Sequence, residues 1–538
     1  MIRPSNSIHN SIVRFVIATI GMICLFRAAM ALPPSENLVV NTTIGQLRGV
    51  DHPSGGAEFL GIPYAQPPVG EMRWHEPVPT KSWEGVRDAK AFGAPCAQPI
   101  LGGDWNKYDA DRSNEDCLFL NVITPVWPPK SPLPVMFWLH GGANVGGSAS
   151  SSLYKDGTLV QRGVILVTVN YRLGIFGFFA HPELTRESSH HASGNYGLLD
   201  QLAALRWVRE NIAKFGGDPT NITVFGQSAG AQDTSLLMSS PLSKDLFQRA
   251  IAESGSAVNP PMPLLADAER SGQKLATALK APAGDGAIKY LRGMSAPDLL
   301  KNLSTQDPAQ LPIFGPDIDG WMITRTPLEI FSLGQESSIP LIIGTTTREF
   351  GMVASPDAVR KMIQDETGSF AIRTLPLYGL ADNGQGTADP VYGGVGDQWI
   401  ADLAFRCPIT TQAAWHTAGH HATYEYEFEH AIPGQEAQGA VHSADLPYVF
   451  GFFPKTGNIA GNFGEMDYKL ADLMETYWTN FAKTGNPNAG ATPNWPEFGS
   501  AQSFIKFTQD GRVTTSSGLR RPQCDLFREV LQQHADRK

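Results

Sequence analysis

The chain has 538 residues, a formal net charge of −10, and 17% charged against 42% hydrophobic residues. This is far from the weakly hydrophobic, highly charged regime of disordered chains, and it supports a large buried core. The acidic balance offers no basic stripe for nucleic acid and no polybasic patch for an anionic membrane. Length alone allows about three or four domains. No linker rich in Gly/Ser or charge, no repeat and no low-complexity segment divides the chain, so residues 32–538 read as a single domain.

At the N-terminus, Arg3 and Arg14 precede the apolar run Phe15–Phe26, which is too short to span a bilayer comfortably. Ala29-Met30-Ala31 follows with the small-x-small pattern of a signal-peptidase site. Residues 1–31 are therefore expected to be a signal peptide cleaved near Ala31, with Arg27 leaving a short anchor as the other reading. Cleavage removes three Arg and no acid, taking the net charge from −10 to −13, and predicts a secreted or periplasmic protein with no stable membrane insertion. Cys24 lies in that segment. Cys96, Cys117, Cys407 and Cys524 remain, an even count that suggests two disulfides with three possible pairings. None has C-x-x-C spacing, which argues against a zinc or redox motif. Glycosylation sequons occur at Asn41, Asn221 and Asn302, and Asn221, at the edge of a strand, is expected to be buried.

The middle of the chain alternates buried-strand runs with amphipathic helices, the pattern of an α/β sheet with covering helices. Leu133–Leu139 and Val164–Val169 are continuous apolar runs, and Leu198–Ile212 carries apolar residues at helical spacing. Ile222-Thr-Val-Phe225 is β-branched or aromatic and predicts a strand. Gly226-Gln-Ser-Ala-Gly230 follows it and leads into the helix-compatible Ala231–Met238, so Ser228 falls at the apex of a G-x-S-x-G strand–turn–helix elbow. Further strands are expected at Ala250–Ala252, Pro340–Gly344 and Thr423–Phe428. Residues 260–310 and 355–400 read as helical insertions capping the sheet.

A serine hydroxyl is a poor nucleophile unless a base takes its proton and a third group orients that base. On an elbow of this kind the acid and then the histidine follow on loops after later strands. Glu349 stands directly after the Pro340–Gly344 strand, and His442 in the loop after Thr423–Phe428. The alternative for Glu349 is a surface charge beside Arg348. His140-Gly-Gly-Ala143 follows the strand ending at Leu139, where backbone N–H groups of Gly142 and Ala143 would join that of Ala229 in an oxyanion hole.

These residues resemble the type-B carboxylesterase family of cholinesterases, liver-type carboxylesterases and bacterial para-nitrobenzyl esterases. The resemblance runs from Gly45 to Cys524. It rests on Phe59–Gly70, Asn114–Asn121, the His140 loop, Asn170-Tyr-Arg172, Gly194–Gln201 and the Ser228 elbow. It implies an α/β-hydrolase fold: a large, mostly parallel sheet flanked by helices, with helical insertions over an active-site gorge. It also implies a triad Ser228–Glu349–His442, disulfides Cys96–Cys117 and Cys407–Cys524, and ion pairs Arg73–Glu115 and Arg172–Asp200. Ser254 and Asp445 match positions of a polar network behind the histidine. The activity implied is hydrolysis of small carboxylic esters by water through an acyl-enzyme, with no metal or organic cofactor.

The chain departs from the family pattern in three places. Gln227 replaces the usual Glu before the nucleophile, Arg348-Glu349-Phe350 replaces Asp-Glu-Gly, and Ala143 replaces a third glycine. The segment between Cys96 and Cys117 is shorter than the lid of related fungal lipases, so short to medium acyl chains are expected rather than emulsified lipids. A lipase remains the nearer alternative. Trp105 in that segment reads as a pocket wall or structural aromatic rather than a choline-binding residue. Non-catalytic, neuroligin-like adhesion relatives have lost the nucleophile that this chain retains.

Overall fold

The structure is a computed structural model that describes residues 38–102, 105–258, 262–306 and 314–536. The expected signal peptide, its cleavage near Ala31 and Cys24 lie outside the described residues. In chain order the strands are β1 (Val39–Thr42), β2 (Gly45–Arg48), β3 (Val50–Asp51), β4 (Ala57–Pro63), β5 (Val86–Asp88), β6 (Phe119–Thr124) and β7 (Leu133–Leu139). They continue with β8 (Ile165–Val169), β9 (Gly217–Gln227), β10 (Arg249–Glu253), β11 (Leu341–Thr346), β12 (Thr423–Phe428), β13 (Ser503–Phe507) and β14 (Val513–Ser517). Eleven of them form one sheet in the order β14-β13-β12-β11-β10-β9-β7-β8-β6-β4-β3, and β1-β2-β5 form a small second sheet. From β8 across to β13 every pairing is parallel, while both flanks of the large sheet are antiparallel.

The apolar runs explain this arrangement. Successive side chains of a strand point to opposite faces, so a strand apolar at every position must be covered on both. In β7, Val135, Phe137 and Leu139 enter one core, and Met136 and Trp138 enter the other. The same alternation divides Leu341 and Ile343 from Ile342 in β11, whereas Tyr424, Tyr426 and Phe428 of β12 share one core. Trp138 packs against Phe225 and Phe450 with ring centroids 4.7 and 4.8 Å apart. Helix Tyr196–Asn211 covers the first of these faces through Leu198, Leu202, Leu205 and Val208. Helix Glu465–Thr484 covers the other through Met474, Trp478 and Phe481.

Sequence expectations and structure agree on β7 and β12 to the residue and on the other strands to within a few positions. The main difference is β9, which begins at Gly217 rather than at Ile222 because Gly217 pairs with Leu133 across an irregularity in the register. Asn221 is half-buried rather than buried: it sits near the start of β9, where its side chain meets Arg249 and the carbonyl of Lys483. Asn41 and Asn302 are exposed. The insertions fold as helices Leu265–Ala278, Ala287–Arg292 and Ala296–Ser304 after β10, and Pro356–Thr367, Ala371–Leu377 and Val395–Ala401 after β11.

Both disulfides pair as the family resemblance implies, Cys96 with Cys117 and Cys407 with Cys524. They fit an extracellular or periplasmic protein. Among the described residues no helix is long and apolar enough to cross a membrane. Arg73 grips Glu115 with two bonds of 2.6 Å, and Arg172 grips Asp200 with two of 2.7 Å. Arg172 also reaches the carbonyl of His75, so one guanidinium joins the loop after β8, helix Tyr196–Asn211 and the N-terminal region. Removing one partner of a buried pair strands the other charge without solvent. Asp200→Ala is expected to lose about 3–5 kcal/mol of stability, measured by guanidinium denaturation.

Candidate active site

Because β9, β10, β11 and β12 are parallel, their C-terminal ends open on one edge of the sheet. Loops at such an edge are the usual location of a site in an open α/β fold. Ser228 follows β9 directly and precedes helix Ala229–Ser239, with φ 59° and ψ −124°. A non-glycine residue reaches this region only when its surroundings enforce it. Its own amide donates to the carbonyl of Glu253 at 2.8 Å, which continues the β9–β10 register through the strained turn. The two glycines of the pentapeptide permit the close approach: a Cβ at Gly226 would lie 2.4 Å from the Gly230 carbonyl, and one at Gly230 would lie 2.1 Å from that of Leu139.

Glu349 and His442 are brought together. Nδ1 of His442 bonds Oε2 of Glu349, and Oε1 of the same carboxylate accepts from the Thr345 hydroxyl at 2.6 Å and the Thr346 amide at 2.9 Å. The supporting loops are joined by backbone bonds, His442 N–H to Glu349 C=O at 2.8 Å and Arg348 N–H to Ala440 C=O at 2.9 Å. Burial raises the Glu349 carboxyl, but the charge and hydrogen bond of His442, with the Thr345 and Ser254 hydroxyls, outweigh it and hold the group below its ordinary value. The Ser254 hydroxyl is close enough to favour that charge but forms no hydrogen bond of normal geometry.

Asp445 lies behind the pair with its Oδ2 on the Tyr426 hydroxyl at 2.9 Å. Burial pushes it up to about 6. Glu253, bonded to Trp478 Nε1 at 2.7 Å, is raised much further, first by burial and then by Asp445. Of these three buried carboxyls, Glu349 alone bonds an imidazole, and it is the one held below its ordinary value.

The other ring nitrogen of His442 faces Gln227, with Nε2 to Nε2 at 3.1 Å. Since Nδ1 carries its hydrogen toward Glu349, Nε2 offers a lone pair that the Gln227 amide occupies. Among the described residues the Ser228 hydroxyl has no hydrogen bond. The acid-loop departures from the family pattern have structural roles. Arg348 clamps the carbonyls of Val391 and Pro390, and Phe350 packs on the imidazole at 4.4 Å. Phe405 covers it from another side at 5.1 Å. Phe405 belongs to a π-helical turn, Asp402–Arg406, that the sequence reading did not single out; Arg406 fixes it by reaching the Thr347 carbonyl at 2.6 Å. Leu403 of the same turn helps line a cavity of about 220 Å³ with Ala257, Val258, Trp399 and Leu526.

The loop after β7 turns through left-handed backbone at Gly142 (φ 115°), Ala143 (φ 54°) and Asn144 (φ 58°). Among the described residues the N–H groups of Gly142 and Ala143 have no hydrogen-bond acceptor. Ala229 opens its helix, where the first amides lack an intrahelical partner. Trp105 is 46% exposed and lies over this loop: a Cβ on Gly142 would sit 3.1 Å from its indole, consistent with a pocket wall. His140 stacks on Tyr171 with ring centroids 4.5 Å apart, and burial pushes it down to about 4, so it stays neutral.

The anchor of this loop was not foreseen from sequence. Asn144 donates to Asp233 at 3.0 Å, and Gln201 donates to the other Asp233 oxygen at 2.6 Å. The loop is thereby fastened to the helix that begins at Ala229. The only sequence signal was an acid in the otherwise uncharged Ala229–Ser239 helix.

A strained serine at the end of a parallel strand, an adjoining histidine–carboxylate pair and exposed loop amides define a serine hydrolase of the α/β-hydrolase class. Comparison with known proteins narrows the class. Residues 36–527 match the model of the carboxylesterase family. The chain is 35% identical to a fumonisin B1 esterase of Sphingopyxis macrogoltabida over 506 residues, 90% of this chain and 88% of that one. It is 36% identical to the para-nitrobenzyl esterase of Bacillus subtilis over 470 residues, covering 86% and 92% of the two chains. It is 33% identical to carboxylesterase 1D of Mus musculus over 521 residues, covering 88% and 89%. A solved para-nitrobenzyl esterase structure superposes with a TM-score of 0.77 at 32% identity, covering 91% of this chain and 99% of that one. The chain belongs to the carboxylesterase family and is a carboxylic ester hydrolase.

Burial pushes Asp233 up to about 7 from its ordinary 3.8. A carboxyl raised in the folded state holds a proton that the unfolded chain releases. Its stabilising contribution is complete below about pH 4 and is lost as pH rises to about 7. Relative to the wild type, the thermal midpoint of Asp233→Asn is expected to rise as pH increases across that window, in paired melts followed from pH 4 to 8.

Proposed function

We propose that Ser228, His442 and Glu349 are the nucleophile, general base and orienting acid of an acyl-enzyme mechanism acting on esters of short to medium acyl chain. The observation that carries this reading is the Glu349–His442 pair standing beside a serine held in strained backbone at the same sheet edge. Ser228 Oγ attacks the ester carbonyl carbon while Nε2 of His442 takes its proton. For this the imidazole exchanges the Gln227 amide for the Ser228 hydroxyl when substrate binds. The oxyanion is received by the N–H groups of Gly142, Ala143 and Ala229. His442 returns its proton to the departing alcohol, and water, activated by the same nitrogen, releases the acid. Glu349 keeps the imidazole in the Nδ1–H tautomer and stabilises the imidazolium. Ser254 and Asp445 are positioning residues behind that pair, and Glu349 is the carboxylate that bonds the imidazole.

Aromatic walls from Trp105, Phe350 and Phe405 and the short Cys96–Cys117 segment support compact, soluble esters. The relatives named for fumonisin B1 and para-nitrobenzyl esters define two substrate types for comparison. We further propose that the protein is exported, with the signal removed near Ala31.

Ser228→Ala is expected to lower ester turnover by about 10⁴-fold or more with folding intact, and fluorophosphonate should label the wild type at Ser228 only. Near-wild-type turnover in the variant would reject the assignment. Turnover should also fall on acidification, because the protonated imidazole has no lone pair while Glu349 remains charged. Rates across a series of para-nitrophenyl esters, with para-nitrobenzyl esters and fumonisin B1 alongside, should be highest at short to medium acyl length. A rate jump above the solubility limit of a long-chain ester would instead identify a lipase.

A further inference from the structure

We propose that Glu336, His416 and His421 form a binding site for a divalent transition-metal ion, best matched by zinc, at the end of the sheet opposite the catalytic residues. His416 lies near the end of helix Cys407–Ala418, Glu336 in the loop leading into β11, and His421 in the turn leading into β12. β11 and β12 are the strands whose far ends carry Glu349 and lead to His442. The site and the triad are thus separated by the length of those strands, roughly 20 Å at about 3.3 Å per residue.

The hydrogen-bond inventory of His416 makes the case. Its Nε2 lies 2.8 Å from the carbonyl of Ile339, which can only accept, so Nε2 carries the hydrogen. Nδ1 of the neutral ring is then a lone pair, yet it faces Oε1 of Glu336 at 2.7 Å, an acceptor against an acceptor. Something positive must lie between them. A proton would satisfy this one contact, but it would leave Oε2 of Glu336 fully buried without a partner and would give His421 no role. The turn before β12 passes through left-handed backbone at His420 (φ 63°) and sets the His421 ring 4.7 Å from that of His416.

The ligand atoms of all three residues lie within 4.8 Å of one another. Metal bonds of about 2.0–2.2 Å place tetrahedral ligands roughly 3.3–3.5 Å apart. The Glu336–His416 contact would therefore open slightly and His421 would close on it. Two imidazoles and a carboxylate are a zinc donor set, and an imidazole oriented by a carbonyl on its other nitrogen is the usual outer-shell support. Glu336 and His416 are buried and His421 is half-buried, which puts the entry, and a water as fourth ligand, on the His421 side. The ion would clip the end of helix Cys407–Ala418 to the approaches of β11 and β12, outside the chemistry of ester cleavage.

The test uses the full chain without a histidine tag, stripped by chelator and titrated with Co²⁺. One equivalent should bind with the visible absorption of a low-coordinate cobalt centre, be displaced by Zn²⁺, and raise the thermal midpoint by several degrees. His421→Ala, at the half-buried position, and Glu336→Gln should each weaken binding by about 10-fold or more, while His420→Ala should leave it unchanged, with folding checked by circular dichroism. No binding by the wild type at about 100 µM metal would overturn the proposal. So would equal affinity and an unaltered spectrum in His421→Ala, which decides the matter should Glu336→Gln fail to fold.

Discussion

The site depends on one carboxylate being charged where burial opposes charge. Glu349 has no access to solvent, and in that setting a carboxyl ordinarily keeps its proton, as Glu253 does nearby. The imidazole of His442 reverses the outcome for Glu349, helped by the Thr345 hydroxyl and the Thr346 amide. Parallel pairing of β11 and β12 puts the two loops side by side, and two backbone hydrogen bonds set their register. A slip in that register would leave a buried acid without its imidazole partner.

Strained backbone recurs along the same edge. Ser228, Ser254, Ala143, Asn144 and Ser443 all have positive φ without being glycine. Each costs on the order of 1–3 kcal/mol and persists only because its surroundings determine it. Here those surroundings are identifiable: the Glu253 carbonyl under Ser228, the Gly344 carbonyl under Ser254, and Asp233 under Asn144. The loop carrying the Gly142 and Ala143 amides is thus fastened to the helix that Ser228 precedes. Small residues at 142, 143 and 229 keep that surface open to a carbonyl oxygen.

Much of this was legible in the sequence because periodicity and glycine spacing are local. Runs such as Leu133–Leu139 must be covered on both faces, and Gly226 and Gly230 tolerate no side chain, so strands, elbow and loop could be read directly. Glu349 and His442 could be ranked only by their place after a strand, until family motifs singled them out. Contacts decided by tertiary packing were not legible. Nothing local shows that Gln227 would cap the imidazole, that Phe350 and Phe405 would flank it, or that Asp233 would anchor the loop. Asn221 was misjudged for the same reason: its exposure depends on Arg249 and Lys483, which are remote in sequence. The Glu336–His416–His421 cluster was equally invisible, since its members lie on a helix and in two separate connections.

The Cys407–Cys524 bridge spans 117 positions, and the stretch it encloses contains β12, β13, β14 and His442. The exposed turns of this stretch are where a protease would cut. With the bridge closed, a single cleavage anywhere inside it severs the backbone without releasing a fragment. The piece that carries His442 stays covalently joined to the body of the sheet, through the bridge or through the backbone, whichever side of it is cut.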